Sequence, residues 1–377
     1  MTQTNIAILG AGIAGLCCAI ALHKKGFNVT LYERSAKPEN SGAGLVLWPN
    51  ASVILDKLAL LDEIKSAGYS LSKMQRVTEL GEYLNEIDLT QFQTKNNYSN
   101  YSITRKNLQD IFLNKIQQLN IVIHFNHQIS EIESHTENTA VVHFTNGNTI
   151  EADIIIGADG RMNSIARKYV TGCNKPVYQG YVNWVGLLET DSTLQFQNNI
   201  SDYWGCGERF GLVPLSKQTA YWAGCKVMPE GLGEPNSGNK KALLDIFENW
   251  PDSIKTVIEL TPNQNIKRIE IYDHDPLPKW HRGNVCLIGD AAHAALPVSG
   301  QGACQAIEDA YQLAECLQQH EKNQAVTHRQ YQSAFEHFFN RRSEPTSTII
   351  QNARYFARSL FNTDPEYCET RNRKAKN

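Results

Sequence analysis

The chain has 377 residues, of which 41% are hydrophobic and 20% charged, and its formal net charge is −3. These values are typical of a globular protein with room for two domains, and they exclude a general electrostatic attraction to nucleic acid or to an anionic membrane. No apolar run approaches the roughly 20 residues needed to cross a bilayer, and residues 1–30 lack the pattern of a signal peptide. Nine cysteines are dispersed without a CxxC pair, which favours free thiols over disulfides or a zinc site. We therefore expect a cytoplasmic protein without a metal, a nucleic-acid partner or a membrane partner.

A glycine-rich turn joins the first predicted strand to the first predicted helix. The strand covers residues 5–9, the turn has the sequence GAGIAG at residues 10–15, and the helix covers residues 16–25. A second strand at residues 28–32 ends at Glu33. In this context the glycines allow a tight turn, room for a pyrophosphate and close helix packing, while Glu33 can accept hydrogen bonds from an adenosine ribose. The pattern predicts a dinucleotide site, and the charge of Glu33 argues against a 2′-phosphate there.

The next hundred residues alternate between helical and strand patterns. We predict a helix at residues 106–119 and strands at residues 121–127, 128–134 and 140–144. The sequence Asn-Gly-Asn at residues 146–148 is a hairpin signal between strands at residues 141–145 and 149–156. The second of these strands leads into Gly-Ala-Asp-Gly at residues 157–160, where the backbone has to turn sharply.

Short strands rich in Trp, Tyr and Val follow between residues 178 and 271. Two of them, at residues 207–214 and 219–223, carry Arg209 and Tyr221. An arginine can hold an anionic or carbonyl-bearing ring by a bidentate hydrogen bond, and a neighbouring tyrosine hydroxyl can donate or accept a proton. We take these two residues as the candidate catalytic residues.

A strand that ends in Gly289-Asp290 is the most informative local signal. Residues 285–288 are apolar and predict the strand, and after Pro297 the sequence Gly-Gln-Gly-Ala at residues 300–303 opens an amphipathic helix. A buried strand end can aim the Asp290 carboxylate at a ligand hydroxyl, and the helix start presents free N–H groups to a flat or charged group.

Three turns that follow predicted strands, at residues 10–15, 157–160 and 289–290, together resemble those of the FAD-dependent aromatic hydroxylases, the single-component flavin monooxygenases built like para-hydroxybenzoate hydroxylase. The resemblance implies non-covalent FAD, NAD(P)H as the electron donor, and O2 that a flavin hydroperoxide transfers to a small aromatic substrate. It also assigns residues to the cofactor. These are Gly10, Gly12, Ala14, Gly15, Glu33, Arg34, Gly44, Val46, Arg105, Ile129, Asp159, Asp290, Pro297, Gly300, Gln301, Gly302 and Ala303.

The expected fold class is α/β. A Rossmann-like FAD-binding domain, a βαβ unit with the GxGxxG turn, is expected from residues 1–72, 100–175 and 281–330. Residues 73–99 and 176–280 form the inserted β-rich substrate domain, and residues 331–377 form C-terminal helices and a tail. In that last region we expect Arg342 beside an aromatic stripe of the core and a solvated basic end at residues 371–376. The assembly is expected to be a monomer or a homodimer.

Within the family, the urate hydroxylase type is the most similar. Arg209, Tyr221 and residues 180–184 and 268–271 match it, but Val298 follows Pro297 where the urate enzymes have an aspartate. A urate-like, a phenolic and a pyridine-type substrate therefore remain open. Two alternatives keep the scaffold: a tetracycline- or polyketide-type monooxygenase with a larger substrate, and a flavin-free binding protein like the GDP-dissociation inhibitors. A glutathione-reductase-like enzyme is disfavoured, because the chain has one dinucleotide fingerprint and no CxxC pair.

Overall fold

A computed structural model describes residues 4–38, 43–92, 98–134, 139–191, 194–323 and 328–376. The strands are, in chain order, β1 (Asn5–Leu9), β2 (Asn28–Tyr32), β3 (Gly44–Leu47), β4 (Tyr69–Ser70), β5 (Lys73–Thr78), β6 (Tyr83–Asp88), β7 (Tyr101–Thr104), β8 (Val122–His124), β9 (Ile129–Ser134), β10 (Ala140–Phe144), β11 (Thr149–Glu151), β12 (Ile154–Gly157), β13 (Val177–Glu189), β14 (Asn199–Trp204), β15 (Glu208–Pro214), β16 (Thr219–Val227), β17 (Ile266–Asp273), β18 (His281–Arg282) and β19 (Val285–Leu287). The α-helices are α1 (Ile13–Lys24), α2 (Pro49–Lys57), α3 (Leu61–Ala67), α4 (Arg105–Gln118), α5 (Ile165–Thr171), α6 (Asn239–Ile246), α7 (Asp252–Leu260), α8 (Asp290–His293), α9 (Gly302–Asn323), α10 (His328–Leu360) and α11 (Pro365–Lys376). Short 3-10 helices cover Leu89–Phe92, Asn263–Asn265 and Pro297–Ser299.

A six-stranded sheet with the order β18–β19–β12–β1–β2–β8 carries the dinucleotide motif. All neighbouring strands are parallel except β18, which pairs antiparallel with β19 at the edge. Residues 6–9 of the central strand β1 are buried, as expected for an apolar run in a parallel sheet that helices cover. The carboxyl ends of β1, β2, β12 and β8 lie along one edge, which is where such sheets bind ligands.

A seven-stranded sheet with the order β17–β13–β16–β15–β14–β5–β6 forms the second layer, and only β14 and β5 in it are parallel. One face packs against α6 and α7 through Trp184, Phe210 and Trp222. The opposite face packs against α10 through Tyr181 and against β3 through Tyr221. This second face, which we call the inner face, lies toward the strand β3 that the sequence assigns to the cofactor. Smaller sheets have the orders β11–β10–β9 and β3–β7–β4.

Two predicted strands are shorter in the structure. The strand predicted at residues 149–156 is divided into β11 and β12, which belong to different sheets. The chain is anchored between them, since Asp153 Oδ2 accepts a hydrogen bond from Asn5 N at 2.8 Å and Ala152 O accepts one from Asn284 Nδ2 at 2.9 Å. The strand predicted at residues 121–127 ends at His124, because Asn126 adopts a φ of 57° and turns the chain.

The predicted solvated basic end is wrong for Arg371, whereas Arg373, Lys374 and Lys376 are exposed as expected. Residues 365–376 form α11, and the Arg371 side chain is 9% exposed. Its guanidinium donates to the carbonyl oxygens of Ser359, Leu360 and Gly205 at 3.0, 3.2 and 3.0 Å. Through these three hydrogen bonds Arg371 holds α11 against the seven-stranded sheet. The run of basic residues in the sequence does not reveal these distant acceptors.

Candidate active site

A cavity of about 420 Å³ lies at the carboxyl ends of the parallel strands. The predicted cofactor residues that line it are Gly10, Gly12, Glu33, Arg34, Arg105, Ile129 and Asp159. Its volume is within the range of roughly 300–1,000 Å³ found for small-molecule sites. Residues that are distant in the sequence thus meet where the fold predicts a nucleotide.

The three glycines of the first turn have different surroundings. A Cβ on Gly10, whose φ is +112°, would lie 2.4 Å from Ala158 O, and a Cβ on Gly15 would lie 1.9 Å from Gly10 O. The protein itself therefore closes both positions to a side chain. At Gly12 no described atom lies within 4 Å of the Cβ position. Gly12 lines the cavity, so packing against the described residues does not require a glycine at this position.

Charged groups line the same cavity. Arg34 and Arg105 form no side-chain hydrogen bond or ion pair with any other residue that the structure describes. Glu33 is fixed at the wall, because its Oε2 accepts from Ala11 N at 2.8 Å and its Oε1 from Ser35 N at 2.9 Å. Two free guanidinium groups and the N-terminus of α1 favour a phosphate. The residues present therefore fit the pyrophosphate and ribose of a dinucleotide.

Asp159 lines the cavity but also starts α5. Its Oδ1 accepts from Ser164 Oγ at 2.5 Å and its Oδ2 from Ala166 N at 3.0 Å. Burial raises the pKa of this carboxyl, and these hydrogen bonds oppose the shift. The Asp159 carboxylate is thus bonded within the turn before α5, and this turn forms part of the cavity wall.

A buried carboxylate that the sequence did not single out holds the Gly-Asp corner. Gly289, with a φ of 57°, donates its N–H to Asp309 Oδ2 at 2.8 Å. The same carboxylate bonds to His293 Nε2 at 2.5 Å and accepts from Arg342 Nε at 2.8 Å. Burial alone would raise the pKa of Asp309, but His293 and Arg342 outweigh burial and lower it. Arg342, which we expected beside a core stripe, is therefore part of a buried ionic network.

Asp290 is half-exposed and has one charged neighbour. Its side chain is 43% exposed, and the nearest cation, Arg161 Nη1, is 3.6 Å away. The corner touches the start of α1, since a Cβ on Gly289 would lie 2.9 Å from the Cβ of Ala14. Asp290 does not line the 420 Å³ cavity, but its corner is a direct neighbour of the first turn.

The two predicted flavin segments lie against each other. One is β3 with Gly44 and Val46; the other comprises Pro297, Gly300, Gln301, Gly302 and Ala303 at the start of α9. Trp48 Nε1 donates to Gly300 O at 2.9 Å, and Cys304 Sγ donates to Val46 O at 3.6 Å. Gly42, at the start of the predicted flavin loop, lies outside the described residues. The described part of the loop thus meets the start of α9.

Arg209 and Tyr221 share the inner face of the seven-stranded sheet. The register pairs Arg209 with Cys225 and Val213 with Tyr221, so both candidate side chains leave the same face of neighbouring strands. The Tyr221 ring lies directly against β3, because a Cβ on Gly44 would be 2.3 Å from Tyr221 Cδ1. Burial raises the pKa of Tyr221, with the charge of Arg209 opposing the shift. The phenol is protonated at neutral pH.

Arg209 already has a partner that sequence reasoning missed. Its Nε donates to Asp202 Oδ1 at 2.7 Å, and Asp202 Oδ2 accepts from Trp204 Nε1 at 2.8 Å. The Asp202 side chain is 3% exposed and that of Arg209 19%. Burial alone would lower the pKa of Arg209, but Asp202 outweighs it and raises that pKa. Side chains alternate between the two faces along β14, which places Asp202 on the inner face. The sequence around an acidic residue in a strand does not indicate which residue will be its partner.

Two further polar side chains of the inner face lack partners. Tyr181 is 1% exposed and Asn183 6% exposed, and neither the Tyr181 hydroxyl nor Asn183 Oδ1 has a hydrogen bond to any described residue. Val298 packs in the same cluster as Tyr181. Buried polar atoms without partners are rare in proteins, and a ligand is one explanation.

Among the described residues, no group of three His, Cys, Asp or Glu side chains could hold a metal ion. Within those same ranges, no helix combines the length and the apolar character needed to cross a membrane.

The comparison with known families decides the identity of this site. The model of the family described as FAD binding domain matches residues 3–337. The chain belongs to this FAD-binding domain family.

Its relatives are flavin enzymes that match over nearly the whole chain. The FAD-dependent urate hydroxylase of Mycolicibacterium vanbaalenii is 32% identical over 378 residues, covering 98% of this chain and 93% of that protein. The 6-hydroxynicotinate 3-monooxygenase of Pseudomonas fluorescens is 28% identical over 380 residues, covering 98% and 95%. The crystal structure of Klebsiella pneumoniae HpxO complexed with FAD and uric acid matches with a TM-score of 0.89 at 27% identity, covering 99% of this chain and 92% of that one.

The chain is thus an FAD-dependent monooxygenase, with the NAD(P)H donor that is typical of the family. The predicted fold class, enzyme class and cofactor are confirmed. The alternative of a flavin-free binding protein was wrong. The roles of the individual site residues stay predictions.

Proposed function

We propose that this monooxygenase hydroxylates a small N-heteroaromatic ring of urate or hydroxypyridine type. The observation that carries the proposal is the contact between Tyr221 and Gly44, because it places the polar inner face beside the predicted flavin loop. The names of the relatives, urate hydroxylase and 6-hydroxynicotinate 3-monooxygenase, support the same substrate class.

We assign the residues around the cavity to FAD. Gly12, Arg34 and Arg105 would take the pyrophosphate, Glu33 the adenosine ribose, and Asp290 the ribityl chain. The segment of β3 and the start of α9 would hold the ring system, with N–H groups at the helix start favouring its negative charge. When bound and reduced, the flavin supplies the activated oxygen for the ring.

Arg209 and Tyr221 would prepare the substrate. With its Nε bound to Asp202, Arg209 keeps Nη1 and Nη2 for an oxygen of the ring. The protonated Tyr221 hydroxyl can hydrogen-bond the ring or relay its proton. The packing of Tyr181, Val298 and α10 at the other end of the face would exclude water.

The finer organisation is also proposed. The FAD-binding unit would comprise residues 1–72, 100–175 and 281–330, the substrate unit residues 73–99 and 176–280, and the C-terminal unit residues 331–377. All nine cysteines are free thiols in the structure, which supports a reducing cytoplasm. We propose a monomer or homodimer.

The test is substrate-stimulated NADH and NADPH oxidation by the FAD-loaded protein with purines, hydroxypyridines, hydroxybenzoates and tetracyclines. We expect stimulation by a purine or hydroxypyridine, with an oxygen atom from ¹⁸O2 in the product. Stimulation by hydroxybenzoates or tetracyclines alone would replace the proposed substrate class. Tyr221→Phe should lower the turnover less than a change at Arg209.

A further inference from the structure

We propose that Arg76 is a second substrate-binding arginine of this site, and that together with Arg209 it selects a ring that carries a negative charge. This inference rests on the proposed function, since it takes the inner face as the substrate site. It adds to that function the charge of the substrate and a residue that determines specificity.

Arg76 lies on the inner face, directly opposite Asp202. The parallel pairing of β5 with β14 joins these two residues, and Asp202 also pairs with Gly211 on β15. The next strand, β16, contributes Ala223, which pairs with Gly211. Because directly paired residues project to the same face of a sheet, the four positions form one row across the inner face. The row thus consists of an arginine, a carboxylate and two small residues.

The middle of this row is open. At Gly211 no described atom lies within 4 Å of the Cβ position. Along the strands, the adjacent row on one side contains Tyr221, whose ring lies against Gly44 of the predicted flavin loop. The adjacent row on the other side contains Arg209, two residues before Gly211 on β15. A flat ring above Gly211 would therefore lie between the flavin loop and Arg209.

No described residue accepts a hydrogen bond from the Arg76 guanidinium. Its Nε is buried without a partner, and its carbon Cζ lies over the Trp204 ring at 5.1 Å. Both oxygens of the facing Asp202 carboxylate are occupied, by Arg209 Nε at 2.7 Å and by Trp204 Nε1 at 2.8 Å. Burial lowers the pKa of Arg76, while the charge of Asp202 opposes this shift and that of Arg209 adds to it. A largely buried guanidinium without an acceptor is unfavourable, and an anionic ligand would supply one.

The charged groups on this part of the face carry an excess of one positive charge. The guanidinium groups of Arg76 and Arg209 lie on either side of the single carboxylate of Asp202. Beyond the indole that contacts Arg76, the side chains of Arg371 and Glu79 add one charge of each sign. Three cations therefore face two carboxylates, and one negative charge on the ligand would balance them.

A single anionic group can contact both arginines. Strands β5 and β15 flank β14, so the two backbones are two strand spacings, or about 10 Å, apart, which two long side chains can cover. Arg209 donates through Nε to Asp202, so its Nη1 and Nη2 remain as donors. Val298 packs in the cluster that contains Trp204 and adds no competing carboxylate. A carboxylate or ring oxyanion between the arginines would place its ring over Gly211.

Two compounds that differ in charge test the proposal. 6-Hydroxynicotinate and 6-hydroxynicotinamide share the same ring, but only the first carries a carboxylate. Their Kd values can be measured with the FAD-loaded protein from the change in flavin absorbance. We expect the acid to bind about tenfold or more tightly than the amide, since it gains hydrogen bonds between charged groups.

Arg76→Gln should reduce this preference, because the acid loses one of its two charged donors. We expect the ratio of the two Kd values to shift by about tenfold toward the amide. Arg76→Lys keeps the charge without the planar donors and should show a smaller shift. The matched control is Lys73→Gln on the same strand. Lys73 pairs with Glu86 at 3.0 Å on the opposite face, so its loss should leave the ratio unchanged, whereas a general effect of net charge would move both Gln variants alike.

A purely structural role of Arg76 would give a different result. Arg76→Gln would then lower the melting temperature and weaken both compounds by the same factor, and this unchanged ratio would overturn the inference. A preference of the wild type for the amide would overturn it too. If Arg76→Gln does not fold, Arg76→Lys decides, and a wild-type ratio in that variant contradicts the proposal.

The same measurements separate this inference from the proposed function. If the ratio fails to shift but a purine or hydroxypyridine stimulates NAD(P)H oxidation, the proposed function stands without the inference. The same conclusion holds if neither 6-hydroxynicotinate nor the urate anion changes the flavin spectrum while an uncharged purine or hydroxypyridine stimulates oxidation. If no purine or hydroxypyridine stimulates oxidation, both fail.

Discussion

The nucleotide cavity and the inner face of the seven-stranded sheet are built in opposite ways. In the cavity, the cations Arg34 and Arg105 have no side-chain partner among the described residues, and the absence of a side chain at Gly12 leaves space open. On the inner face, Arg209 Nε donates to Asp202, and the buried atoms without a described partner include the Tyr181 hydroxyl, Asn183 Oδ1 and Arg76 Nε.

The difference fits the ligands that we propose for the two regions. A pyrophosphate is negatively charged, so unpaired arginines can serve as its counter-ions. A largely buried arginine on the proposed substrate face needs a counter-ion from the protein, and Asp202 supplies it. A change in the cavity should therefore act on cofactor binding, and a change on the inner face should act on turnover.

The largest effect is expected for Gly12→Val. The Cβ position at Gly12 lies in the cavity with no described atom within 4 Å, so the variant should fold but bind FAD at least on the order of 100-fold more weakly. Flavin content after purification and the melting temperature without FAD measure the two parts. A variant with full flavin content would remove the nucleotide assignment.

Gly15→Ala is the contrasting control for that change. Its Cβ would lie 1.9 Å from Gly10 O, so this smaller substitution should lower the melting temperature of the protein without FAD. If both variants lost stability equally, Gly12 would be a structural glycine like Gly15.

Asp309→Asn tests the network behind the Gly-Asp corner, where removing one partner of a buried ion pair should cost about 3–5 kcal/mol. Because the pKa of Asp309 is lowered in the folded protein, its stabilisation is fully present above its unfolded pKa of about 4 and is lost as the pH falls through the folded value. The difference in unfolding free energy between wild type and variant should be constant near pH 7 and shrink below about pH 4. A difference that does not depend on pH would assign the loss to packing.

Arg209→Met should lower kcat/KM by an amount that corresponds to about 2–4 kcal/mol of activation free energy, and the variant should release hydrogen peroxide in place of product. It also leaves Asp202 buried without its partner, so stability must be measured beside activity. The combination Arg209→Met/Asp202→Asn separates the two effects, since it should recover stability but not turnover. Coupled turnover at the normal rate in either variant would place the substrate elsewhere.

These regions also differ in how far the sequence predicted them. The glycine turn and Glu33 were singled out because they follow β1 and β2, and parallel strands bring their ends to one edge, whereas Arg105 was assigned from the family resemblance. Asp202, Asp309 and Arg342 were missed because their function lies in partners that are distant in sequence, and no local pattern encodes a cross-strand or inter-helix ion pair. The buried Arg371 was missed for the same reason. Local sequence patterns thus predict where the backbone turns, but they do not predict which charged residues form pairs.

Glu33→Ala should weaken FAD binding by about 1–3 kcal/mol, the scale of hydrogen bonds to a charged group. The side chain also accepts from Ala11 N and Ser35 N, so part of the loss comes from a looser turn. Glu33→Gln keeps an acceptor for one of them and should show a smaller loss. Titration with FAD followed by protein fluorescence gives both values, and unchanged affinity in Glu33→Ala would move the ribose contact to another residue.

Asp290→Ala is expected to have the smallest effect on the fold and a specific effect on the flavin. Asp309 and His293 hold the corner from behind, while Asp290 is 43% exposed and only 3.6 Å from Arg161 Nη1. The fold should therefore persist, with a stability loss within the roughly 0.5–2 kcal/mol of a lost helix cap. FAD retention or the coupling of NAD(P)H oxidation to hydroxylation should fall, because a ribityl contact is removed. Arg161→Met is the control, since it removes the neighbouring cation and leaves the carboxylate. A variant of Asp290 that melts earlier but keeps the normal flavin affinity and coupling would show that this residue only stabilises the first turn of α8.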